Sequence, residues 1–265
     1  MPFRVAIPSY KRAKMLSQKT LPFLAEYGID PSLIDVFVAN EEERAIYAET
    51  LPTNLYGTIV VGHVGIARQR KFIQDYYPLN QKVFGIDDDI RGIVTLRPNF
   101  NLTEFLESMF ALCEKEKVNM WGVYPAGSLL YLKDEIRKGV LYIVACFYGY
   151  INKKDMLYPS DLDTKEDWWA TLERCRIDGA VIRATFVAPK TTYWLKNGGL
   201  SESRTLEKER IHATAVCAMF PQYTQGMYIR RNGHPDVKPK RLPFQVIKDV
   251  MIGEIEVEQR EFRRR

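Results

Sequence analysis

One short stretch of the sequence constrains the fold more than any other: the apolar run Val83–Ile86, which ends in Asp87, Asp88 and Asp89. A short apolar run that is followed at once by polar residues is typical of a buried strand. Three adjacent carboxylates repel one another, and a strand end that gathers them favours a bound cation. Side chains alternate along an extended chain, so we expect Asp87 and Asp89 on one side and Asp88 on the other. This acidic triplet predicts a site for Mg²⁺ or Mn²⁺ held against a diphosphate, with a solvated acidic turn as the alternative.

Three further apolar runs precede the triplet and alternate with helical patterns. The runs cover residues 4–8, 34–39 and 58–61. Strands that alternate with helices favour a mostly parallel, twisted sheet flanked by helices, and ligands bind such sheets beyond the carboxyl ends of the strands. We therefore predict an α/β fold whose polar loops gather along one edge of the sheet.

The second half of the chain has a different pattern. Strand-like runs are predicted at 120–124, 141–151 and 180–187, and helices at 102–117, 165–172 and 205–220. No repeat and no low-complexity linker separates the two halves. We therefore expect a single domain over residues 1–265, with a smaller antiparallel part in its second half.

Composition narrows the class of protein. The 265 residues carry a formal charge of +5 and contain no run of about 18 apolar residues, so no membrane span is expected. The first residues, Met1–Val5, lack the basic and then apolar pattern of a secretion signal. The four cysteines are widely spaced, which indicates reduced thiols in a cytoplasmic protein rather than a zinc site or a disulfide framework. The mild positive charge permits a polyanionic partner without requiring one.

Aromatic and basic residues follow the first and third predicted strands. In the opening loop, residues 8–12, Tyr10 can stack on a base and Arg12 can neutralise a phosphate, although an ordinary strand-to-helix turn has the same composition. Arg68 and Arg70 lie two residues apart on a predicted helix, so they do not share a face. We expect Arg68 to face the cleft and Arg70 to face solvent, because Arg68 is nearer the loop at the sheet edge.

An acidic pair and two tryptophans open the helix predicted at 165–172. Acidic residues in a first turn often do no more than complement the helix dipole. A carboxylate beside an aromatic floor is also placed to take a proton from an attacking hydroxyl, and one of the tryptophans can form that floor beneath a sugar or a base. Glu166 and Asp167 are therefore candidate catalytic residues, and Trp168 and Trp169 are candidate acceptor contacts.

Two histidines are candidates for completing a metal shell. His212 lies within the late helix and His234 in a Gly-His-Pro loop, and the sequence does not choose between them. A lone histidine is more often a structural group than a ligand. We retain His212 as the candidate third ligand beside Asp87 and Asp89.

A cationic strip occupies residues 228–241. Its cations can contact phosphate groups without reading a base sequence, or they can form an ordinary solvated surface. The basic residues of the strip are Arg230, Arg231, Lys238, Lys240 and Arg241.

Four of these motifs, taken in order, resemble those of the GT-A-fold glycosyltransferases. Residues 7–12 look like the opening loop of that family, and residues 65–70 are similar to its Gly-x-Ala-Arg-x-Arg helix. The acidic triplet matches the DxD motif, and Glu166-Asp167 resembles the late acidic pair that contains the base of inverting members. More narrowly, the chain resembles the phage TET-associated DNA glycosyltransferases, a likeness that includes the segment Lys196–Gly199.

The resemblance implies a nucleotide-sugar donor, usually UDP-linked, bound across the first half of the chain (1–100), with the acceptor bound by the second half (101–265). Pro8, Ser9 and Tyr10 would line the base and ribose, and Arg12, Arg68, Asp87 and Asp88 would complete the donor site. Asp89 would ligate Mn²⁺ or Mg²⁺ together with Asp87. Asp167 would act as the base if the reaction inverts the anomeric centre.

The narrower resemblance also implies an acceptor and a location. The acceptor would be the hydroxyl of a 5-hydroxymethylpyrimidine in DNA, in the cytoplasm of a phage-infected bacterium. A carbohydrate, lipid or protein acceptor is the first alternative. A nucleotidyltransferase or a non-catalytic nucleotide-binding module on a similar sheet is the second, since acidic residues at strand ends also hold Mg²⁺ in such proteins.

Overall fold

The computed structural model describes residues 2–191 and 204–248. The helices are α1 (Ala13–Gln18), α2 (Thr20–Glu26), α3 (Glu41–Thr50), α4 (Ile66–Tyr76), α5 (Leu102–Glu116), α6 (Glu166–Asp178) and α7 (Leu206–Met219). The strands are β1 (Arg4–Pro8), β2 (Ile34–Val38), β3 (Thr58–Val61), β4 (Lys82–Ile86), β5 (Ile93–Thr95), β6 (Met120–Val123), β7 (Ile136–Gly139), β8 (Phe147–Ile151), β9 (Val181–Ala184), β10 (Val187–Pro189), β11 (Thr224–Ile229), β12 (Pro235–Pro239) and β13 (Phe244–Ile247).

One nine-stranded sheet carries the architecture, in the order β13-β7-β9-β6-β8-β4-β1-β2-β3. The four strands of the first half are parallel to one another. The antiparallel strand β8 joins β4 to β6, so β6 and its parallel neighbour β9 run in the same direction as β4. The predicted α/β fold is confirmed, because strands and helices alternate as their apolar periodicities require.

The second half departs from its predicted elements in several places. Of the run 141–151, only Phe147–Ile151 is a strand. The preceding residues instead pack against α6, where the Thr171 hydroxyl accepts a hydrogen bond from the Ile143 amide (3.2 Å) and donates one to the Ile143 carbonyl (3.3 Å). The run 180–187 divides into β9 and the start of β10. Four strands of the second half were not predicted: β7, β11, β12 and β13.

Apolar residues cover both faces of the sheet. The larger cluster lies around β1, β2 and α5, and the second lies beneath α6 and α7. At Gly85 a Cβ atom would lie 2.5 Å from the ring of Tyr148 on the neighbouring strand β8, so only glycine admits that ring. Among the described residues, no helix has the length and apolar character needed to span a bilayer.

Candidate active site

Strand order alone marks where a ligand is expected. Strands β2 and β3 lie on one side of β1, whereas β4 lies on the other. The direction of strand addition therefore reverses between β1 and β4, and open α/β sheets bind ligands beyond the carboxyl ends of strands at such a point. The opening loop follows β1 and the acidic triplet follows β4, so the two polar motifs meet there.

The three carboxylates of the triplet have separate partners. Asp87 Oδ1 lies 3.9 Å from Nη2 of Arg70. Asp88 accepts a hydrogen bond from Ser9 (2.6 Å) and lies 3.4 Å from the guanidinium of Arg12. Asp89 accepts one from the hydroxyl of Thr191 at 2.7 Å. The middle carboxylate is thus tied inward to the opening loop, while its two neighbours contact other elements.

The triplet gathers more negative charge than its surroundings readily stabilise. Burial raises the pKa of Asp88 to about 6, although Arg12 and Ser9 oppose the shift. The side chain of Asp87 is 38% exposed, yet the dense protein around it raises its pKa well above the usual range, against the effect of Arg70. The neighbouring carboxylates raise it further. Burial disfavours the charged form of these carboxylates, and a cation bound beside them would stabilise that form.

The carboxylates of the triplet suit an open Mg²⁺ or Mn²⁺ site better than a metal site that is closed by protein ligands. Among residues 2–191 and 204–248, no three His, Cys, Asp or Glu side chains form a group that could hold a metal ion. Magnesium-type ions are commonly held by one or two carboxylates and complete their shells with water and phosphate oxygens. Asp87 and Asp89 can supply two such ligands.

The opening loop is held in place by buried hydrogen bonds. The Ser9 hydroxyl lies 2.7 Å from the Tyr47 hydroxyl in addition to its bond to Asp88. Both partners lie within the protein, so the direct effect of Ser9 is to fix the loop against the triplet. Pro8 and Tyr10 are half-buried, and the Lys11 ammonium lies 5.2 Å from the centroid of the Tyr10 ring.

Arg70, not Arg68, faces the triplet, which corrects the sequence-based expectation. Arg70 is 6% exposed, whereas Arg68 is exposed and donates to the Ser160 carbonyl at 3.3 Å. The physical reason is the apolar stripe of α4: Ala67 and Ile73 are buried, and position 70 lies three residues from each. This spacing is the signal in the sequence that identifies Arg70.

Arg70 also joins the triplet to the acidic pair. Its Nε lies 3.5 Å from Glu166, and its Nη1 donates to the Tyr148 hydroxyl at 2.9 Å. Burial, and then the charge of Asp167, raise the pKa of Glu166 to about 7, while Arg70 opposes the shift. The structure therefore brings the predicted DxD motif and the predicted acidic pair into one site.

Asp167 is the more accessible member of the acidic pair. Its side chain accepts hydrogen bonds from the Tyr142 hydroxyl and, at 2.7 Å, from the Trp168 amide. Burial raises the pKa of Asp167, and the Tyr142 bond counters that shift. Burial also raises the pKa of Tyr142, so that its hydroxyl stays protonated and donates. Tyr142 lies in the irregular segment before β8, and nothing in its local sequence indicated this contact.

The two tryptophans are core residues, and neither forms an open floor for a ligand. Trp168 is 6% exposed and Trp169 is 5% exposed. The Trp168 ring stacks on Tyr142 with centroids 4.2 Å apart, and its indole nitrogen donates to Asp236 at 3.0 Å. The prediction that a tryptophan contacts the acceptor is therefore wrong, because both rings face the apolar cluster beneath α6 and α7.

His212 does not join Asp87 and Asp89. Its Nδ1 lies 2.9 Å from the Thr164 hydroxyl, at the segment that leads into α6. Burial lowers the pKa of His212, which keeps the ring neutral. His212 thus supports the start of α6 instead of completing a metal shell with the triplet.

The cationic strip forms the hairpin of β11 and β12 and the residues that follow it. Its five basic residues are exposed. Arg230 is ion-paired with the buried Asp236, and the Lys240 ammonium donates to the Pro221 carbonyl at 2.7 Å. The strip is therefore a cationic surface with part of its charge already compensated. The segment Lys196–Gly199 lies outside the described residues.

Comparison with known proteins supports the fold. No protein-family model matches the chain, and no curated protein matches it in sequence. Among solved structures, S. aureus TarS (residues 1–349) is similar with a TM-score of 0.51 and 17% identity, over 82% of this chain and 66% of that chain. Glucosyl-3-phosphoglycerate synthase from Mycobacterium tuberculosis follows with a TM-score of 0.47 and 10% identity, over 83% and 79%. Mannosyltransferase PcManGT from Pyrobaculum calidifontis has a TM-score of 0.45 and 11% identity, over 84% and 65%.

The likeness to TarS bears on the fold and not on the substrate. The chain spans 66% of the TarS fragment and 40% of a longer TarS chain. At 17% identity, the TarS match shows a shared GT-A architecture. What the site does must be argued from its own residues.

Proposed function

We propose that this protein is a metal-dependent glycosyltransferase that uses a nucleotide-sugar donor. The observation that carries the proposal is Arg70, which contacts Asp87 of the triplet and Glu166 of the acidic pair. Two acidic motifs that are 79 positions apart thereby share one site at the switch point of a GT-A sheet. A metal-dependent, inverting glycosyl transfer uses two acidic sites, one to hold the metal ion that binds the donor diphosphate and one to accept a proton.

Asp87 and Asp89 would hold Mn²⁺ or Mg²⁺. When bound, the ion would stabilise the negative charge that develops on the departing diphosphate. Asp88 and Ser9 fix the backbone of the triplet through their buried bond. The ring of Tyr10, which is half-buried in the opening loop, would stack on the base. The resemblance of these motifs to GT-A enzymes favours a UDP-sugar as the donor.

Asp167 is the proposed base. In the reaction, an acceptor hydroxyl oxygen forms a bond to the anomeric carbon, the bond from that carbon to the diphosphate breaks, and the hydroxyl proton passes to Asp167. The part-exposed Asp167 is better placed for this than Glu166, which is buried beside Arg70. Displacement from the face opposite the leaving group would invert the anomeric centre.

For the acceptor, we propose a polyanion, with 5-hydroxymethylpyrimidine DNA as the first candidate. Arg231, Lys238 and Arg241 extend from an exposed surface of the second half, and such cations bind phosphates without reading a sequence. Gel-shift titration of hydroxymethylated DNA against salt tests this part separately. Affinity that falls steeply with salt supports the polyanion, and no binding at low salt directs the search to an uncharged acceptor.

The decisive experiment incubates the protein with Mn²⁺, hydroxymethylated DNA and a panel of UDP-sugars, CTP and ATP, with products identified by mass spectrometry. Asp89→Asn should abolish both transfer and donor hydrolysis. Asp75→Asn, which alters an exposed carboxylate paired with Lys71, should leave both unchanged. Full activity in the Asp89 variant would exclude Asp89 as a ligand of a catalytic metal ion. Nucleotide incorporation from CTP or ATP would identify a nucleotidyltransferase.

A second variant separates the base from the donor site. Asp167→Asn retains the size of the side chain and removes its basicity. We expect transfer to fall by about 100-fold or more, as for loss of a general base, while UDP binding in Mn²⁺ stays within about twofold, since the donor is held at the triplet. Unchanged turnover in Asp167→Asn would show that Asp167 is not the base.

A further inference from the structure

Arg183 is a half-buried cation that has no carboxylate partner among the described residues. It lies on β9, and its Nη1 donates to the Tyr142 carbonyl at 3.1 Å. Its Nε is fully buried and has no hydrogen-bond partner in the part of the chain that the structure describes. No ion pair within residues 2–191 and 204–248 includes it. A guanidinium carries five N–H donors, so most of its capacity to bind an anion is unused.

The surroundings of Arg183 increase the local positive charge. Arg137 lies directly opposite Arg183 in the pairing of β7 with β9, and directly opposite residues extend from the same face of a sheet. Arg137 is paired with Glu135 at 2.7 Å and lies 4.4 Å from the centroid of the Phe244 ring. Of these two guanidinium groups in the described chain, only that of Arg137 is paired with a carboxylate.

This arrangement has an energetic cost that a ligand would offset. Burial, and then the charge of Arg137, lower the pKa of Arg183 to about 10. A charge withdrawn from water is unfavourable unless a counter-ion and hydrogen bonds compensate it. The two buried arginines of the described chain, Arg70 and Arg174, each contact two carboxylates. Arg183 is half-buried and contacts none within the described residues.

Arg183 lies on the acceptor side of the proposed site. Strand β9 is parallel to β4 and three places from it in the sheet, a separation of roughly 14 Å at the usual strand spacing. Tyr124, which follows β6 on the same edge, has its ring centroid 5.6 Å from the guanidinium. Tyr142 connects Arg183, through its carbonyl, to Asp167, through its hydroxyl. Arg183 is therefore remote from the triplet, and a single residue, Tyr142, links it to the proposed base.

We infer that Arg183, bordered by Tyr124 and Arg137, binds a phosphate group of the acceptor. The planar fork of a guanidinium matches two phosphate oxygens, and partial withdrawal from water strengthens such charge-assisted bonds. Assigning the phosphate to the acceptor rests on the proposed function, whereas binding of the anion does not. A phosphate fixed here would hold an acceptor hydroxyl within reach of Asp167, because Tyr142 sets the distance between the two residues.

The test begins with inorganic phosphate alone, without metal or donor. Isothermal titration calorimetry compares the wild-type protein with Arg183→Gln and with Arg97→Gln. Arg97 is a matched control, since its guanidinium also lies over an aromatic ring, that of Phe186 at 3.7 Å, but is paired with Asp134. We expect Arg183→Gln to weaken phosphate binding by about tenfold or more, the loss typical of charge-assisted hydrogen bonds, and Arg97→Gln to bind within about twofold of wild type. Equal phosphate affinity in the Arg183 variant and the wild type would overturn the inference.

Folding and turnover provide independent readouts. Removing an uncompensated charge should leave the melting temperature of Arg183→Gln in phosphate-free buffer equal to or above that of wild type. If that variant does not fold, Arg183→Lys retains the charge and loses the fork, and undiminished phosphate binding by it overturns the inference. With an active enzyme, Arg183→Gln should raise KM for hydroxymethylated DNA and leave KM for the donor unchanged. If no transfer is found for any acceptor, the phosphate titration still decides the role of Arg183.

Discussion

Replacing Arg70 by glutamine tests the central contact of the site. The guanidinium is 5% exposed and lies between Glu166, itself 9% exposed, and Asp87. Removing one partner of a buried ion pair leaves the other charge uncompensated and costs about 3–5 kcal/mol. We therefore expect the free energy of unfolding of Arg70→Gln to fall by about that amount at pH 8, where Glu166, whose pKa is about 7, is ionised in the wild type.

The same variant should be less harmful in acid. At pH 5 the carboxyl group of Glu166 is largely protonated in the folded protein, and a neutral carboxyl group needs no cation. The remaining loss is that of the hydrogen bonds from Arg70 to Tyr148 and to the Ala145 carbonyl, about 1–2 kcal/mol. The difference between the two pH values isolates the electrostatic part of the effect from the loss of packing.

Urea unfolding in EDTA at pH 5 and pH 8 measures both quantities. Arg68→Gln is the matched control, because it removes an exposed arginine from the same helix and should cost about 0.5 kcal/mol or less. A loss below about 1 kcal/mol at pH 8 for Arg70→Gln, or an equal loss at both pH values, would refute the view that Arg70 compensates the buried carboxylates.

Three further predictions concern single contacts of the site. Burial and Asp167 raise the pKa of Glu166 from 4.5 to about 7. The contribution of Glu166 to stability is therefore complete below about pH 4.5 and is lost as the pH rises through 7, by on the order of 3 kcal/mol. In Glu166→Gln the urea midpoint should vary less with pH over that range, and a pH dependence equal to that of wild type would contradict the prediction. Ser9→Ala removes a bond that opposes the raised pKa of Asp88, so titration of Asp88 followed by NMR should move above 6 and stability should fall by about 1–2 kcal/mol; an unmoved titration would show that the bond is not formed in solution. Tyr142→Phe removes a hydrogen bond that lowers the pKa of Asp167, so the acidic limb of the pH–rate profile for transfer should move to higher pH. A wild-type pH profile in this variant would rule out a positioning role for Tyr142.

The parallel half of the fold follows from local patterns. Each of β1 to β4 is a short apolar run bounded by turn or cap residues, and such runs are stable only when they are covered on both faces. In the second half, the helix predicted at 102–117 is also formed, and the Asn101 side chain caps it by accepting a hydrogen bond from the Glu104 amide at 3.2 Å. Where neighbouring residues determine the structure, a single sequence suffices.

Contacts between distant segments are what the sequence does not reveal. The tryptophan pair looked like a binding surface because Trp168 and Trp169 follow two carboxylates, but the hydrogen-bond partner of Trp168 is Asp236, 68 positions away. Residues 141–146 looked like a strand because they are apolar, but their backbone bonds to Thr171 on α6. In both cases tertiary packing overrides a local pattern.

The charges of the site explain why an ion fits there. When the acidic triplet and Glu166 are all ionised, they carry four negative charges. In the described chain the cations that pair with them are Arg12 and Arg70, so an excess of two negative charges remains. Burial and, to a smaller extent, the neighbouring carboxylates raise the pKa values of Asp88 and Glu166, so that protons remain bound to these groups near pH 6. One divalent cation has the opposite charge and would displace those protons, so metal affinity should increase as the pH rises from 6 to 8, the range in which both groups lose their protons.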